Sequence, residues 1–104
     1  MQLRLWLRNY IYQFVMWIIT KDHCKNEYIP KDEAGRCSVN YDEAKAASLV
    51  HQFRMYDDDD ILCYEGLSNI CDSEAAFAPL DNFGKPNVGC TSIFYLRGEK
   101  WEEL

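Results

Sequence analysis

Several features that would point to a known chemistry are missing from this 104-residue sequence. There is no glycine-rich phosphate loop, and no family signature of a nucleophilic site surrounds a histidine or a cysteine. No run of about 20 mostly apolar residues could span a membrane. The apolar N-terminal stretch is also not followed by the small-residue cleavage site of a signal peptide. We therefore expect no catalytic residues, no cofactor and no membrane association.

A disulfide framework is also not indicated, because the number of cysteines is odd and no Cys-x-x-Cys motif occurs. The five cysteines are Cys24, Cys37, Cys63, Cys71 and Cys90. Free thiols are typical of a reducing compartment, so we expect a cytoplasmic protein. A single disulfide stays open at this point, since pairing depends on geometry.

Metal-ligand spacing is absent as well. A calcium-binding loop that began at Asp57 would need glycine at its sixth position and glutamate at its twelfth, where this chain has Leu62 and Ser68. A zinc site needs about four ligands. The sequence offers three that lie near one another, namely His23, Cys24 and Cys37. We therefore expect no metal site.

Glycine and proline are scarce, with five and three residues, which argues against a low-complexity chain. Hydrophobic residues make up 48% of the sequence and aromatic residues 14%, too much for a disordered tail. A length of 104 residues suits one modest core. We expect a single domain over residues 1–104.

The most informative stretch is residues 50–66, in which two β-prone runs flank four consecutive aspartates. We predict a hairpin in which Asp58 and Asp59 form a two-residue loop. The predicted cross-strand pairs are Asp57–Asp60, Tyr56–Ile61, Met55–Leu62, Arg54–Cys63 and Phe53–Tyr64. This register puts four apolar side chains on the core face, namely Phe53, Met55, Leu62 and Tyr64.

The segments before the hairpin are less regular. Residues 14–20 are rich in β-branched and aromatic side chains and predict a buried strand, whereas residues 1–12 fit either a strand or a helix. Residues 21–39 are polar and predict a loop. Residues 41–50 then predict a short helix, with Asn40 as the N-cap.

After the hairpin, residues 67–90 predict a long irregular loop, with one or two helical turns that end before Pro79. Residues 91–97 predict a strand, and Gly98 begins a two-residue turn into a return strand over residues 100–104. The fold class is therefore α+β: a mostly antiparallel sheet of four to five strands, one short helix and a long irregular loop.

The net charge of −6 is unevenly distributed along the chain. Residues 1–56 hold eight basic and six acidic residues, whereas residues 57–104 hold three basic and eleven acidic residues. An acidic half repels phosphate backbones and attracts basic protein surfaces. We therefore predict a basic partner surface and no direct nucleic-acid binding. The predicted partner-binding residues are Asp57, Asp58, Asp59, Asp60, Glu65, Asp72 and Glu74.

About half of the chain resembles small bacterial and phage-borne proteins of uncharacterised function. The matching segments are residues 17–23, 53–59, 64–66, 79–84 and 86–91. The chain departs from that pattern at Asp60, where the turn would carry glycine. The resemblance implies no catalytic residues. In size, acidity and lack of an active-site signature, the chain is also similar to phage-encoded anti-defence inhibitors, including anti-CRISPR proteins.

The leading hypothesis is a non-enzymatic acidic protein, an inhibitor from a phage or mobile element that occupies a basic, nucleic-acid-handling surface of a host protein. One alternative is a small metal-dependent or thiol enzyme. Another is a structural homodimer that associates through the apolar N-terminal segment.

Overall fold

A computed structural model describes residues 2–24, 27–28 and 36–104 of the chain. Its sheet has six antiparallel strands within these residues, in the spatial order β2-β1-β4-β3-β5-β6. The strands are β1 (Trp17–Asp22), β2 (Glu27–Tyr28), β3 (His51–Tyr56), β4 (Leu62–Ser68), β5 (Ser92–Arg97) and β6 (Lys100–Glu103). Short helices accompany the sheet, so the predicted α+β class is confirmed. Of the predicted loop over residues 21–39, residues 25–26 and 29–35 lie outside the described residues.

The predicted central hairpin is present as β3 and β4, but its predicted register is wrong. Tyr56 pairs with Leu62 and Met55 pairs with Tyr64, so Cys63 is an extra residue on β4. Such a bulge changes which side chains face the core. Cys63 and Tyr64 are both buried, while Leu62 is only half-buried.

The N-terminal segment is a helix, α1 (Gln2–Tyr12), which resolves the open choice between helix and strand. Tyr12 and Val15 are buried, whereas Phe14 is 63% exposed. The predicted strand over residues 14–20 therefore begins late, at Trp17, and runs on to Asp22. The four residues 13–16 connect the helix to the sheet.

The predicted helix over residues 41–50 is a 3-10 helix, Glu43–Ser48, whose N-cap is Asp42. The Asp42 side chain accepts a hydrogen bond from the Ala44 backbone N–H. Asn40, the predicted cap, instead donates from its amide to the carbonyl oxygen of Gln13 at 2.7 Å. A tertiary contact thus replaces the local cap at that position.

The stretch predicted as a long irregular loop is largely ordered into helical turns. It contains a 3-10 helix (Glu74–Phe77), a π-helical turn (Leu80–Gly84) and α2 (Lys85–Val88). Pro79 does not stop the chain from turning, because it has helical φ and ψ angles and stands at the start of the next segment. Gly89 ends α2 in the left-handed conformation with φ 73°.

The sheet separates two apolar clusters, one on each face. The larger cluster includes Phe53, Met55, Ile93 and Tyr95 and packs under the helical turns of residues 74–88. The smaller cluster, on the other face, is formed by Met16, Ile18 and Leu49. Side chains alternate between the faces of a strand. Within residues 2–24, 27–28 and 36–104, the small cluster packs on the β1–β4 part of its face and not on the β3–β5–β6 part.

The last two strands follow the prediction closely. Arg97 pairs with Lys100 across a two-residue turn, and Gly98 has φ 65°, as a Gly-first hairpin turn requires.

Among the described residues, no helix is both long and apolar enough to cross a membrane.

Candidate partner-binding surface

The acidic tip (Asp57, Asp58, Asp59 and Asp60) is a compact loop that the Asp57 side chain holds closed. One carboxylate oxygen of Asp57, Oδ1, accepts hydrogen bonds from the backbone N–H groups of Asp59 and Ile61 at 2.9 and 3.0 Å. The chain then reverses at Asp60, which has a left-handed φ of 59°. The Asp57 backbone N–H also donates to the carbonyl oxygen of Ile61 at 3.1 Å. The loop between these two residues therefore has three residues, 58–60, rather than the predicted two, and Asp57 differs in role from its three neighbours.

The carboxylates of Asp58, Asp59 and Asp60 are exposed, and no ion pair involves them within the described part of the chain. Several other carboxylates do have cationic partners. Examples are the ion pairs Arg8–Glu74, Arg8–Asp81, Arg36–Asp22 and Arg54–Glu65. Over the described ranges, the tip is thus a concentration of negative charge without an ion-pair partner, at the end of the β3–β4 hairpin.

Beside the tip lies the open sheet face, which we define by the side chains of Arg54, Tyr56, Glu65, Phe94 and Trp101. Tyr56 and Phe94 meet edge to face, with ring centroids 5.2 Å apart. The Arg54 guanidinium lies over the Trp101 ring, 4.1 Å from its centroid. All five side chains are half-buried. Arginine and large aromatic residues of this kind carry most of the energy at protein interfaces.

Glu65, on β4, lies at the edge of this face next to β1 and is paired on both sides. Its Oε2 is 2.6 Å from His23 Nε2, and its Oε1 accepts from Arg54 Nε at 3.3 Å. Burial alone would raise the pKa of Glu65, but the hydrogen bonds from His23 and Arg54 outweigh it and lower that pKa. Glu65 therefore holds His23 and Arg54 in place on this face. In this it differs from the exposed carboxylates of the tip.

The other two predicted partner-binding residues lie away from the tip. Glu74 accepts from Arg8 Nε at 2.7 Å, on the helical side of the molecule. Asp72 is exposed and follows Cys71, whose carbonyl oxygen accepts from Arg97 at the opposite end of β5 from the tip. The seven predicted residues therefore do not form one patch: the four tip residues are together, and the remaining three are separate.

The second half of α1 and the turn after it expose several apolar side chains. Tyr10 and Phe14 meet edge to face at 5.5 Å, and Leu7 and Ile11 are also exposed. This surface belongs to the segment for which the sequence suggested self-association.

A pocket of about 400 Å³ lies near the end of α1 and the π-helical turn. It is lined by Tyr12, Trp17, Cys37, Ser38, Val39 and Asn82. The Tyr12 hydroxyl already donates to Asp81, and the Ser38 hydroxyl already accepts from the Trp17 backbone N–H. The two hydroxyl groups of the pocket therefore already have partners within the fold.

Among the described residues, no group of three or more His, Cys, Asp or Glu side chains could hold a metal ion. His23, one of the three residues considered for zinc, instead contacts Glu65.

The aromatic part of the surface was not predicted. Arg54, Phe94 and Trp101 come from three strands, and their contacts depend on the strand order β3-β5-β6. The available signal was the alternation in β5, in which Phe94 lies between two residues that point to the core, Ile93 and Tyr95. Comparison of the chain with protein-family models, with curated proteins and with solved structures finds no match.

Proposed function

We propose that this protein is a binding protein without catalytic activity, which uses its acidic tip to occupy a basic surface of another protein. The proposal rests on a contrast between carboxylates that have a cationic partner and carboxylates that do not. Arg8, Arg36 and Arg54 all pair with carboxylates of the fold, while Asp58 to Asp60, at the end of a hairpin, have no ion-pair partner among the residues that the structure describes.

A basic protein groove is the partner chemistry that this arrangement fits best. Lysine and arginine side chains that normally hold phosphates can form charge-assisted hydrogen bonds with carboxylates instead. Three adjacent carboxylates on a closed loop present such acceptors at close spacing, as successive phosphates do. Nucleic acid itself would be repelled by the same charge. The proposed target is therefore a nucleic-acid-handling protein, and the proposed role is inhibition by occupancy.

The open sheet face supplies the second part of the interface. Tyr56 is the last residue of β3 and directly precedes the tip, and its ring packs on Phe94. Charge alone steers association but contributes little net affinity at a solvent-exposed rim. Half-buried aromatic rings beside the charge provide apolar area that a partner can cover.

The host is proposed to be bacterial, in keeping with the likeness to phage-encoded inhibitors. The test is a tagged pull-down from bacterial lysate with quantitative mass spectrometry. The tip variant carries Asp58→Asn, Asp59→Asn and Asp60→Asn, and retains Asp57 because its carboxylate closes the loop. The matched control loses the same charge away from the tip, through Asp72→Asn, Glu99→Gln and Glu102→Gln.

The proposal expects a basic protein that the original chain and the control capture and that the tip variant loses. Equal capture by the tip variant would contradict it. If only the control variant failed to capture the partner, the binding site would instead lie at the end of the molecule where Asp72 lies.

Self-association through α1 is a second candidate, favoured by the exposed side chains of Leu7, Tyr10, Ile11 and Phe14. A homodimer would cover this apolar surface. Sedimentation analysis over a range of concentrations tests it: a monomer mass throughout would exclude the dimer. A dimer that Phe14→Ser dissociates would support it.

A further inference from the structure

Three cysteine side chains meet at the base of the acidic tip. The His23 backbone N–H donates to the carbonyl oxygen of Cys63 at 2.9 Å, which brings Cys24 next to Cys63 just beyond the end of β1. The Cys63 thiol donates to the carbonyl oxygen of Ile61 at 3.4 Å. Burial, and then the nearby Cys63 thiol, raise the pKa of both Cys24 and Cys90. The three residues form a three-thiol chain, from the exposed Cys24 to the buried Cys63 and Cys90.

The bulge in β4 is what places Cys63 in this chain. Its neighbours Leu62 and Tyr64 pair with Tyr56 and Met55, and Cys63 itself has no partner on β3. In a regular strand, Cys63 and Tyr64 would point to opposite faces. Here both are 3% exposed. The inserted residue has therefore re-aimed the Cys63 thiol, which is a recognised effect of bulges.

Access to solvent distinguishes the three thiols. Cys24 is exposed, Cys63 is buried and Cys90 has no exposed surface. A small oxidant in solution therefore reaches Cys24 first, and any adduct formed on Cys24 lies beside Cys63. An exposed cysteine beside a second cysteine allows the second thiol to resolve an adduct formed on the first.

We propose that Cys24 and Cys63 form a reversible disulfide by exchange with a small-molecule disulfide such as oxidised glutathione. The Cys24 thiol loses its proton to solvent and attacks one sulfur of the small disulfide, giving a mixed disulfide and one small thiol. The Cys63 thiol then loses its proton and attacks the Cys24 sulfur, which releases the second small thiol. Two protein S–H bonds are broken and one S–S bond forms. The protein loses two electrons, and the small disulfide gains them.

The exchange is expected to be slow at neutral pH. Burial raises the pKa of the Cys24 thiol, and the nearby Cys63, Asp22 and Asp57 add to the effect. Little thiolate is therefore present to attack. Once formed, the bond ties the chain after β1 to the bulge below the tip.

The test uses the full chain, reduced and then incubated without denaturant with oxidised glutathione. Remaining thiols are blocked with N-ethylmaleimide, and the protein is digested without reduction by trypsin and a glutamate-specific protease. Cleavage after Glu65 separates Cys63 from Cys71, so the linked pair can be assigned by mass spectrometry. Cys24→Ser is the test variant. Cys37→Ser, at a half-exposed cysteine outside the three-thiol chain, is the control.

We expect a disulfide-linked pair of peptides containing Cys24 and Cys63 in the original protein and in Cys37→Ser. We expect this pair to be absent from Cys24→Ser and to disappear on treatment with dithiothreitol. A stable glutathione adduct on Cys24 with Cys63 free would overturn it. A linkage of Cys63 to Cys90, or of Cys24 to Cys37 or Cys71, would also overturn it. These outcomes are independent of partner capture and so do not depend on the proposed function.

Discussion

Arg54 and Trp101 are joined by a cation–π contact, with the guanidinium carbon 4.1 Å from the centroid of the indole ring. The other side of Arg54 binds Glu65, so an aromatic edge strand and a paired carboxylate hold one cation between them. Strand β3, which carries Arg54, also leads directly into the acidic tip. The stability of the open sheet face therefore bears on how firmly the tip is held.

A double-mutant cycle measures this contact. We expect a coupling energy between Arg54 and Trp101 of about 0.5–1 kcal/mol, the usual range for partly exposed cation–π pairs. The variants are Arg54→Gln, Trp101→Leu and the double variant, and the free energy of unfolding is measured in urea. Additive effects of the two substitutions would show that the stacking contributes nothing to stability.

The pairing of Glu65 predicts a specific pH dependence. Because the hydrogen bonds from His23 and Arg54 lower the pKa of Glu65 below its ordinary value of 4.5, the folded state favours the carboxylate. The resulting stability is fully present above pH 4.5 and is lost as the pH falls through the lower, folded-state pKa. The stability of the original protein relative to Glu65→Gln should therefore decline over that acidic range. A difference that stays constant with pH would contradict the assignment.

Gly66 is required where β4 passes under Phe53. A Cβ atom at this position would lie 2.3 Å from Phe53 Cζ and 2.4 Å from the carbonyl oxygen of Ile18. We expect Gly66→Ala to lower the free energy of unfolding by about 3 kcal/mol, the upper range for overpacking. Gly98→Ala is the control, since its Cβ would meet nothing within 4 Å. Gly98→Ala should lower the free energy of unfolding by about 1 kcal/mol, because of the strain of a left-handed backbone alone. Equal costs at the two positions would refute the packing argument.

Asp60 is strained by its backbone conformation, with φ 59°. Glycine adopts this region freely, so Asp60→Gly should stabilise the protein by about 0.5 kcal/mol despite the greater entropy of the unfolded chain. Asp60→Asn removes the charge and tolerates the same φ, and it therefore separates charge repulsion from strain. If thermal unfolding shows that Asp60→Gly is destabilising, the left-handed turn assigned to the tip is wrong.

The sequence predicted those parts of the fold that depend on local pattern. The hairpin, the strand containing Phe94 and the turn at Gly98 follow from alternation and turn chemistry, and all three are present. The register of the hairpin was missed because an inserted residue leaves no mark on periodicity. Cys63 is as apolar as its neighbours, so nothing local shows that it, and not Leu62, faces the core.

The candidate surface was predicted only in its charged part. Consecutive aspartates are visible in the sequence, whereas the state of each carboxylate depends on distant residues. Glu74 pairs with Arg8, which is 66 positions away, and Glu65 pairs with His23 from the end of another strand. Neither pairing follows from local pattern, so paired and unpaired acids could not be told apart before the fold was known.

The most direct test of the account is the affinity of the purified captured partner for three proteins, measured at low and at high salt: the original chain, the tip variant and the matched control. We expect the original and the control to bind alike and to weaken together as salt rises, because their charges at the tip are the same. We expect the tip variant to bind more weakly at low salt and to lose most of the salt dependence. Affinity and salt dependence in the tip variant equal to those of the original would contradict the central claim.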